Sequence, residues 1–176
     1  MKKKDDISEE NGKKRKSQVA KNSKRKAANA SYRIVPAILK DVEGIANVLK
    51  ESFPGDASYY KIRSWQNEAK KIIKCNKNWL SLIAISDNEV IGIIASRHLK
   101  TKPTPTVRIE WVAVSPSARG LGLGTALIEE IKKWVKDSFS GQTVRLTLRT
   151  RSENQDFYRK LGFRCYGSGW MKMRTD

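Results

Sequence analysis

A mixed α/β domain is predicted for residues 32–176, with its elements in the order βααβββαβαββ, behind a disordered Lys/Arg-rich tail over residues 1–31. Three observations predict it. The apolar spacing switches along the chain between period two and a helical period. Strand-like runs follow one another between residues 79 and 114 with no helical pattern between them, which excludes a purely alternating parallel fold. A glycine-rich turn then joins the last of these runs to the longest helical pattern in the chain.

Taken in order, Tyr32 to Val35 reads as a first strand ended by Pro36. Val42, Ile45, Ala46 and Leu49 recur at helical spacing, so Asp41 to Ser52 is a helix with one buried face, broken by Pro54-Gly55-Asp56. A second helix over roughly residues 57–74 buries Ile62, Trp65, Ala69, Ile72 and Ile73. Trp79 to Ile85 and Val90 to Ser96 form a hairpin around Asp87-Asn88-Glu89. The Pro103/Pro105 segment is a loop, and Val107 to Val114 is the strand that follows it. Leu123, Leu127, Ile131, Trp134 and Val135 stripe a helix from Gly122 to Phe139. Val144, Leu146 and Leu148 alternate with Arg145, Thr147 and Arg149 in a half-buried strand. A short helix from Glu153 to Leu161 stops at Gly162, and Phe163 to Tyr166 and Trp170 to Met173 finish the sheet.

The formal net charge of the 176-residue chain is +18. Residues 1–30 hold 11 basic and 4 acidic side chains, and residues 31–176 carry the remaining surplus of +11. Beyond Ile7 and Val19 the tail has no large apolar side chain to offset the entropy of ordering it. Its clusters Lys13-Lys14-Arg15-Lys16 and Lys24-Arg25-Lys26 suit nucleic acid, a ribosome or an import receptor as partners, and equally suit a solvated tail. No apolar run is long enough for a transmembrane helix, and no signal sequence follows the first lysines, so no membrane partner is expected. Cys75 and Cys165 lie outside any CxxC spacing and His98 is the single histidine, so neither a metal site nor a disulfide framework is expected. An intracellular, cytoplasmic setting fits this usage, or a nuclear one in a eukaryote.

The chemically informative segment is Val112-Ala113-Val114-Ser115-Pro116-Ser117-Ala118-Arg119-Gly120-Leu121-Gly122-Leu123-Gly124-Thr125. The first N–H groups of a helix lack internal partners and point outward with the positive dipole end behind them. Glycines let an anion approach those donors, and Arg119 adds a fixed charge, so the junction suits a pyrophosphate. A Walker loop is excluded because no lysine precedes Thr125. A dinucleotide fingerprint is excluded because Leu127 stands where its third glycine belongs, and the next strand closes with Arg149-Thr150-Arg151 instead of an acid.

This segment resembles the signature of the GNAT N-acetyltransferases, Arg/Gln-x-x-Gly-x-Gly/Ala, as Arg119-x-x-Gly122-x-Gly124. Phe157-Tyr158-Arg159-Lys160-Leu161-Gly162-Phe163 resembles the family's second signature, one helix and one strand further on. The resemblance covers residues 32–176 and implies a GNAT-type, mostly antiparallel sheet flanked by helices. It also implies transfer of an acetyl group from acetyl-CoA to a primary amine by direct attack in a ternary complex. A rival reading is a catalytically degenerate module that binds acyl-CoA or docks on nucleic acid or a ribosome.

By similarity, the cofactor-binding residues are Val112 and Val114 through main-chain pairing with the pantetheine arm. Arg119, Gly120, Leu121, Gly122, Leu123, Gly124 and Thr125 would hold the pyrophosphate. Tyr158 takes the family's general-acid position, giving the departing thiolate a proton or a hydrogen bond. The alternative for Tyr158 is a core aromatic under the last helix. Arg151 stands seven positions before Tyr158 where the family often carries Asn; Asn154, four before, is the cofactor contact expected from a shorter variant of the motif. Arg159 or Lys160 would reach a phosphate or face solvent. Glu110, on the motif strand, is the candidate general base, with a solvent-facing strand residue or an ion pair to Arg108 as its alternative. Asp56, Tyr59 and Tyr60 would line the acceptor pocket, and His98 is expected at the surface without a partner.

Overall fold

The computed structural model describes residues 31–54, 62–74 and 78–175. Residues 1–30 of the predicted tail, the pocket candidates Asp56, Tyr59 and Tyr60, and Cys75 lie outside the described residues.

The elements are β1 (Arg33–Pro36), α1 (Val42–Ser52), α2 (Ile62–Ile73), β2 (Trp79–Ser86), β3 (Glu89–Leu99), β4 (Thr106–Val114), α3 (Leu123–Ser138), β5 (Val144–Arg149), α4 (Gln155–Lys160), β6 (Arg164–Gly167) and β7 (Trp170–Thr175). The predicted order βααβββαβαββ is thus the observed one. A single 7-stranded sheet runs β1-β2-β3-β4-β5-β7-β6. Every neighbouring pair is antiparallel except β4 and β5. The β2–β3 hairpin closes on Asp87 and Asn88, both at positive φ (50° and 65°), the pair of conformations a two-residue turn needs to match the strand twist. Glu89 therefore begins β3 instead of belonging to the turn, and β3 extends past Ser96 to Leu99.

Side-chain alternation splits the core between the faces of the sheet. On one face Ile83, Ile93, Ala95 and Ala113 pack with Ile45, Leu49, Trp65 and Ile72 from α1 and α2. On the other, Ile94, Val107, Ile109, Leu146, Leu148 and Met171 pack with Leu123, Leu127, Ile128 and Ile131 of α3 and with Tyr158 of α4. Each fully buried isoleucine or leucine contributes about 1.5–3 kcal/mol. His98 is not a lone surface histidine: its ring meets Phe139 edge-on at 5.0 Å and is partly buried. No helix among the described residues is long and apolar enough to cross a membrane.

The irregularity that matters for function lies in β4. Ala95 pairs with Trp111 and Ser96 with Ile109, so Glu110 has no opposite number and forms a β-bulge. The parallel ladder with β5 covers Thr106 to Ile109 and stops there, where the bulge bends the strand. From Glu110 to Val114, β4 thus continues along β3 with no β5 partner on its other edge.

Candidate active site

The open edge of β4 leads directly into the glycine-rich junction. Ser115 donates its N–H to Ile91 (2.9 Å), Pro116–Ala118 makes a single 3-10 turn, and the chain reaches α3 through Gly120 (φ 77°) and Gly122 (φ 78°). Both glycines sit where an L side chain is strained, and a Cβ on either would meet nothing within 4 Å. Among the described residues the space beside them is open.

The first backbone bond of α3 runs from Ala126 N–H to Gly122 O, at 3.0 Å. The N–H groups of Leu123, Gly124 and Thr125 are therefore the unpaired first-turn donors of a sixteen-residue helix. No acceptor is found among the described residues for the N–H of Gly120, Leu121 or Gly122. Leu123 buries its side chain in the core and offers only its main chain, whereas Thr125 is exposed. Arg119 is exposed and folds its Nε back to the Val114 carbonyl (3.2 Å), which also accepts from Ser52 Oγ at 3.2 Å. Ser52 was not foreseen, because nothing in the sequence ties the end of α1 to that of β4. Ser115 Oγ makes a second such tie, to Glu51 at 2.9 Å.

Gly124 has a different reason to be glycine. A Cβ there would lie 3.3 Å from Phe157 Cζ, so its smallness lets α4 approach the first turn of α3. That contact brings the two sequence signatures together and fixes Tyr158 beside the junction. The Tyr158 ring is packed between Phe157 (4.9 Å) and Phe163 (5.9 Å), and the residue is 9% exposed. Lys132 Nζ caps the end of α4 through the Leu161 carbonyl (2.9 Å), and Phe163 N–H returns to the Tyr158 carbonyl (3.1 Å). No hydrogen bond to the phenol is found among the described residues. Burial pushes its pKa from 10.0 up to about 12. The ring belongs to the core, as the core-aromatic alternative expects.

Glu110 pairs with Arg97, not Arg108. Arg97 Nη2 donates to Glu110 Oε1 at 2.9 Å, and Arg97 also lies over the Trp79 ring at 5.6 Å. Arg108 instead lies over Trp170 at 4.9 Å. The bulge explains the difference, because it displaces Glu110 from the alternation on which a neighbour-based guess relies. Val112 and Val114 pack their side chains on the α3 side, leaving main chain on the open β4 edge. Asn154 is exposed at the start of α4 and makes no side-chain capping bond. Arg159 is drawn off toward Asp156 and Gln155, with Cys165 alongside, and Lys160 is exposed.

The sequence and the fold are similar to those of known proteins. The profile of the Acetyltransferase (GNAT) family matches residues 42–163. The chain belongs to the GNAT family. An N-alpha-acetyltransferase from Sulfurisphaera tokodaii is 30% identical over 142 residues, covering 76% of this chain and 80% of the relative. A protein named 5-NmdU N-acetyltransferase, from Pseudomonas phage PaMx11, is 34% identical over 95 residues, 52% of this chain and 61% of its own. Among solved structures, the PaiA N-acetyltransferase of Thermoplasma acidophilum, in complex with coenzyme A, superposes with a TM-score of 0.63 at 23% identity. It covers 83% of this chain and 99% of that one. This GNAT protein is thus an acetyltransferase built on the family's sheet.

Proposed function

We propose that residues 32–176 form the catalytic domain of an enzyme that moves an acetyl group from acetyl-CoA to a primary amine, with the α-amine of a polypeptide as the leading acceptor. The observation that carries the reading is the continuity of the β4 edge beyond Ile109 with the unpaired donors at Gly120–Thr125 and the open space beside them. The choice of an α-amine rests on the names of two relatives, both N-alpha-acetyltransferases.

In this reading the N–H groups from Gly120 to Thr125 hold the diphosphate of the carrier, helped by the positive end of α3 and the exposed charge of Arg119. The β4 main chain between Glu110 and Val114 pairs with the extended pantetheine arm as a neighbouring strand would. Asn154 serves as a further cofactor contact. Acetyl-CoA, when bound, supplies an acyl group activated as a thioester. A main-chain N–H at the bulge polarises its carbonyl. Tyr158 keeps its proton at every physiological pH. Full transfer from a phenol near 12 to a thiolate of ordinary basicity, near 8.5, is uphill by roughly 5 kcal/mol. Tyr158 therefore serves by donating a hydrogen bond to sulfur. Glu110 accepts the amine proton, directly or through water; Arg97 engages Oε1, and Oε2 has no partner among the described residues.

The test is an acceptor panel read by release of free thiol and by product mass: peptides with a free or blocked N-terminus, a lysine-only peptide and a polyamine. Thiol release with the free N-terminal peptide, and none with its blocked twin, is expected. Equal rates on the blocked peptide would shift the acceptor to lysine, and no release with any amine would end the proposal.

A further inference from the structure

The strand register gathers the domain's positive charge onto half of one sheet face. Arg97 pairs with Arg108, Arg108 with Thr147, Thr147 with Lys172 and Lys172 with Arg164, so one row of side chains crosses β3, β4, β5, β7 and β6. Arg145 stands opposite Arg174 in a parallel row, and Arg149 opposite Trp170. These rows contain no carboxylate, and Glu110 at the bulge is taken up by Arg97. The core under α1 and α2 includes no residue of β5, β6 or β7. Arg149, Arg164, Lys172 and Arg174 are exposed there.

Like charges directly opposite one another destabilise a sheet. Arg97/Arg108, Arg145/Arg174 and Arg164/Lys172 are all such pairs. Aromatic rings relieve part of the repulsion: Arg97 lies over Trp79, Arg108 over Trp170, and Lys172 over Tyr166 at 4.8 Å. In the same row Arg97 Nε, Arg108 Nε and Thr147 Oγ1 are sealed from solvent with no hydrogen-bond partner among the described residues, and Thr147 is only 4% exposed, so a ligand meets the row at its exposed cations. A row of like charge with no carboxylate in it is arranged for an anion that repeats its charge.

We propose that this face of β4, β5, β7 and β6 binds single-stranded nucleic acid. Three strand gaps and the Arg145–Arg149 length make a patch of roughly 14 by 13 Å, room for a few nucleotides. Tyr166 is 47% exposed with Trp170 at 6.4 Å, giving bases rings and guanidinium planes to stack on while the surrounding cations take phosphates. An acidic peptide would use the charges and leave the rings idle. The tail, net +7 over residues 1–30, carries the same sign and would add to the attraction. The inference stands apart from the transfer reaction, since binding is measured without turnover.

The experiment uses the full chain with Lys13, Lys14, Arg15, Lys16, Lys24, Arg25 and Lys26 replaced by Gln, so that the tail does not mask the face. Anisotropy of labelled twelve-nucleotide oligo(U) and oligo(dT) is titrated against salt, beside a duplex of equal length and polyglutamate. Adding Arg164→Gln, Lys172→Gln and Arg174→Gln should weaken single-strand binding at least about tenfold and lower the log–log salt slope by about 2. Tyr166→Ala should weaken it about tenfold with the slope unchanged. The RNA and DNA arms distinguish the sugar. Thermal melting and calorimetric acetyl-CoA binding confirm that each variant is folded. The proposal is overturned if the triple variant binds as its parent does, if Tyr166→Ala has no effect, or if polyglutamate or the duplex binds as tightly as the single strand.

Discussion

Gly122 and Gly141 form a matched pair that separates backbone strain from ligand binding. Gly122 (φ 78°) caps the start of α3 and Gly141 (φ 77°) follows its end, and a Cβ on either would meet nothing within 4 Å among the described residues. Alanine at each position therefore incurs the same left-handed penalty, about 1–2 kcal/mol, with no steric contribution. For a domain of this size that lowers Tm by about 3–6 °C in both variants. Only Gly122→Ala places a methyl group beside the unpaired N–H groups of the junction. Displacing one charged oxygen from one N–H removes about 1.5–3 kcal/mol, so its Kd for acetyl-CoA should rise at least about tenfold while that of Gly141→Ala stays at the parent value. Differential scanning calorimetry and isothermal titration on the same preparations give both numbers. Equal acetyl-CoA affinity in the two variants would refute the placement of the diphosphate beside Gly122.

Tyr158→Phe keeps the packed ring and removes the hydroxyl, so thiol release should fall about a hundredfold with acetyl-CoA affinity retained. Because the folded phenol titrates near 12 against 10.0 unfolded, its protonated form stabilises the fold fully below pH 10. That contribution, on the order of 3 kcal/mol, is lost as pH rises toward 12. Alkaline melting curves should show the loss in the parent and lack that component in Tyr158→Phe. Glu110→Gln should lower kcat/KM without changing acetyl-CoA affinity. Arg97→Gln should shift stability by no more than about 1 kcal/mol, since the pair is partly exposed, and denaturant melts check this. Gly44→Ala would drive a Cβ to 2.7 Å from Val90 Cγ2, so α1 must shift on β3 and urea unfolding should report a loss of about 1–3 kcal/mol.

What the sequence revealed and what it hid follow from how local each feature is. The junction was legible because glycine at positive φ and unpaired first-turn donors are properties of one short segment. Element order was legible because alternation in Val144–Arg149 and the stripe from Leu123 to Val135 are also local. The Glu110 bulge was not, since it exists only against β3, whose register is set across the loop at Pro103 and Pro105. Arg97 was missed as the partner of Glu110 for the same reason, and Ser52 because helix ends and strand ends meet only in the fold. The basic face was half visible: Arg145-Thr147-Arg149 and Trp170-Lys172-Arg174 each alternate in sequence. Their adjacency depends on β7 inserting between β5 and β6, which no single segment encodes.

Amide hydrogen exchange on the full chain, with and without acetyl-CoA, tests the central claim most directly, because the proposed contacts are main-chain N–H groups. Protection on binding is expected in two stretches, Gly120–Thr125 and Glu110–Val114, with little change at Gln142–Leu146. Unchanged exchange in both stretches at saturating acetyl-CoA, or protection confined to another part of the sheet, would contradict the account.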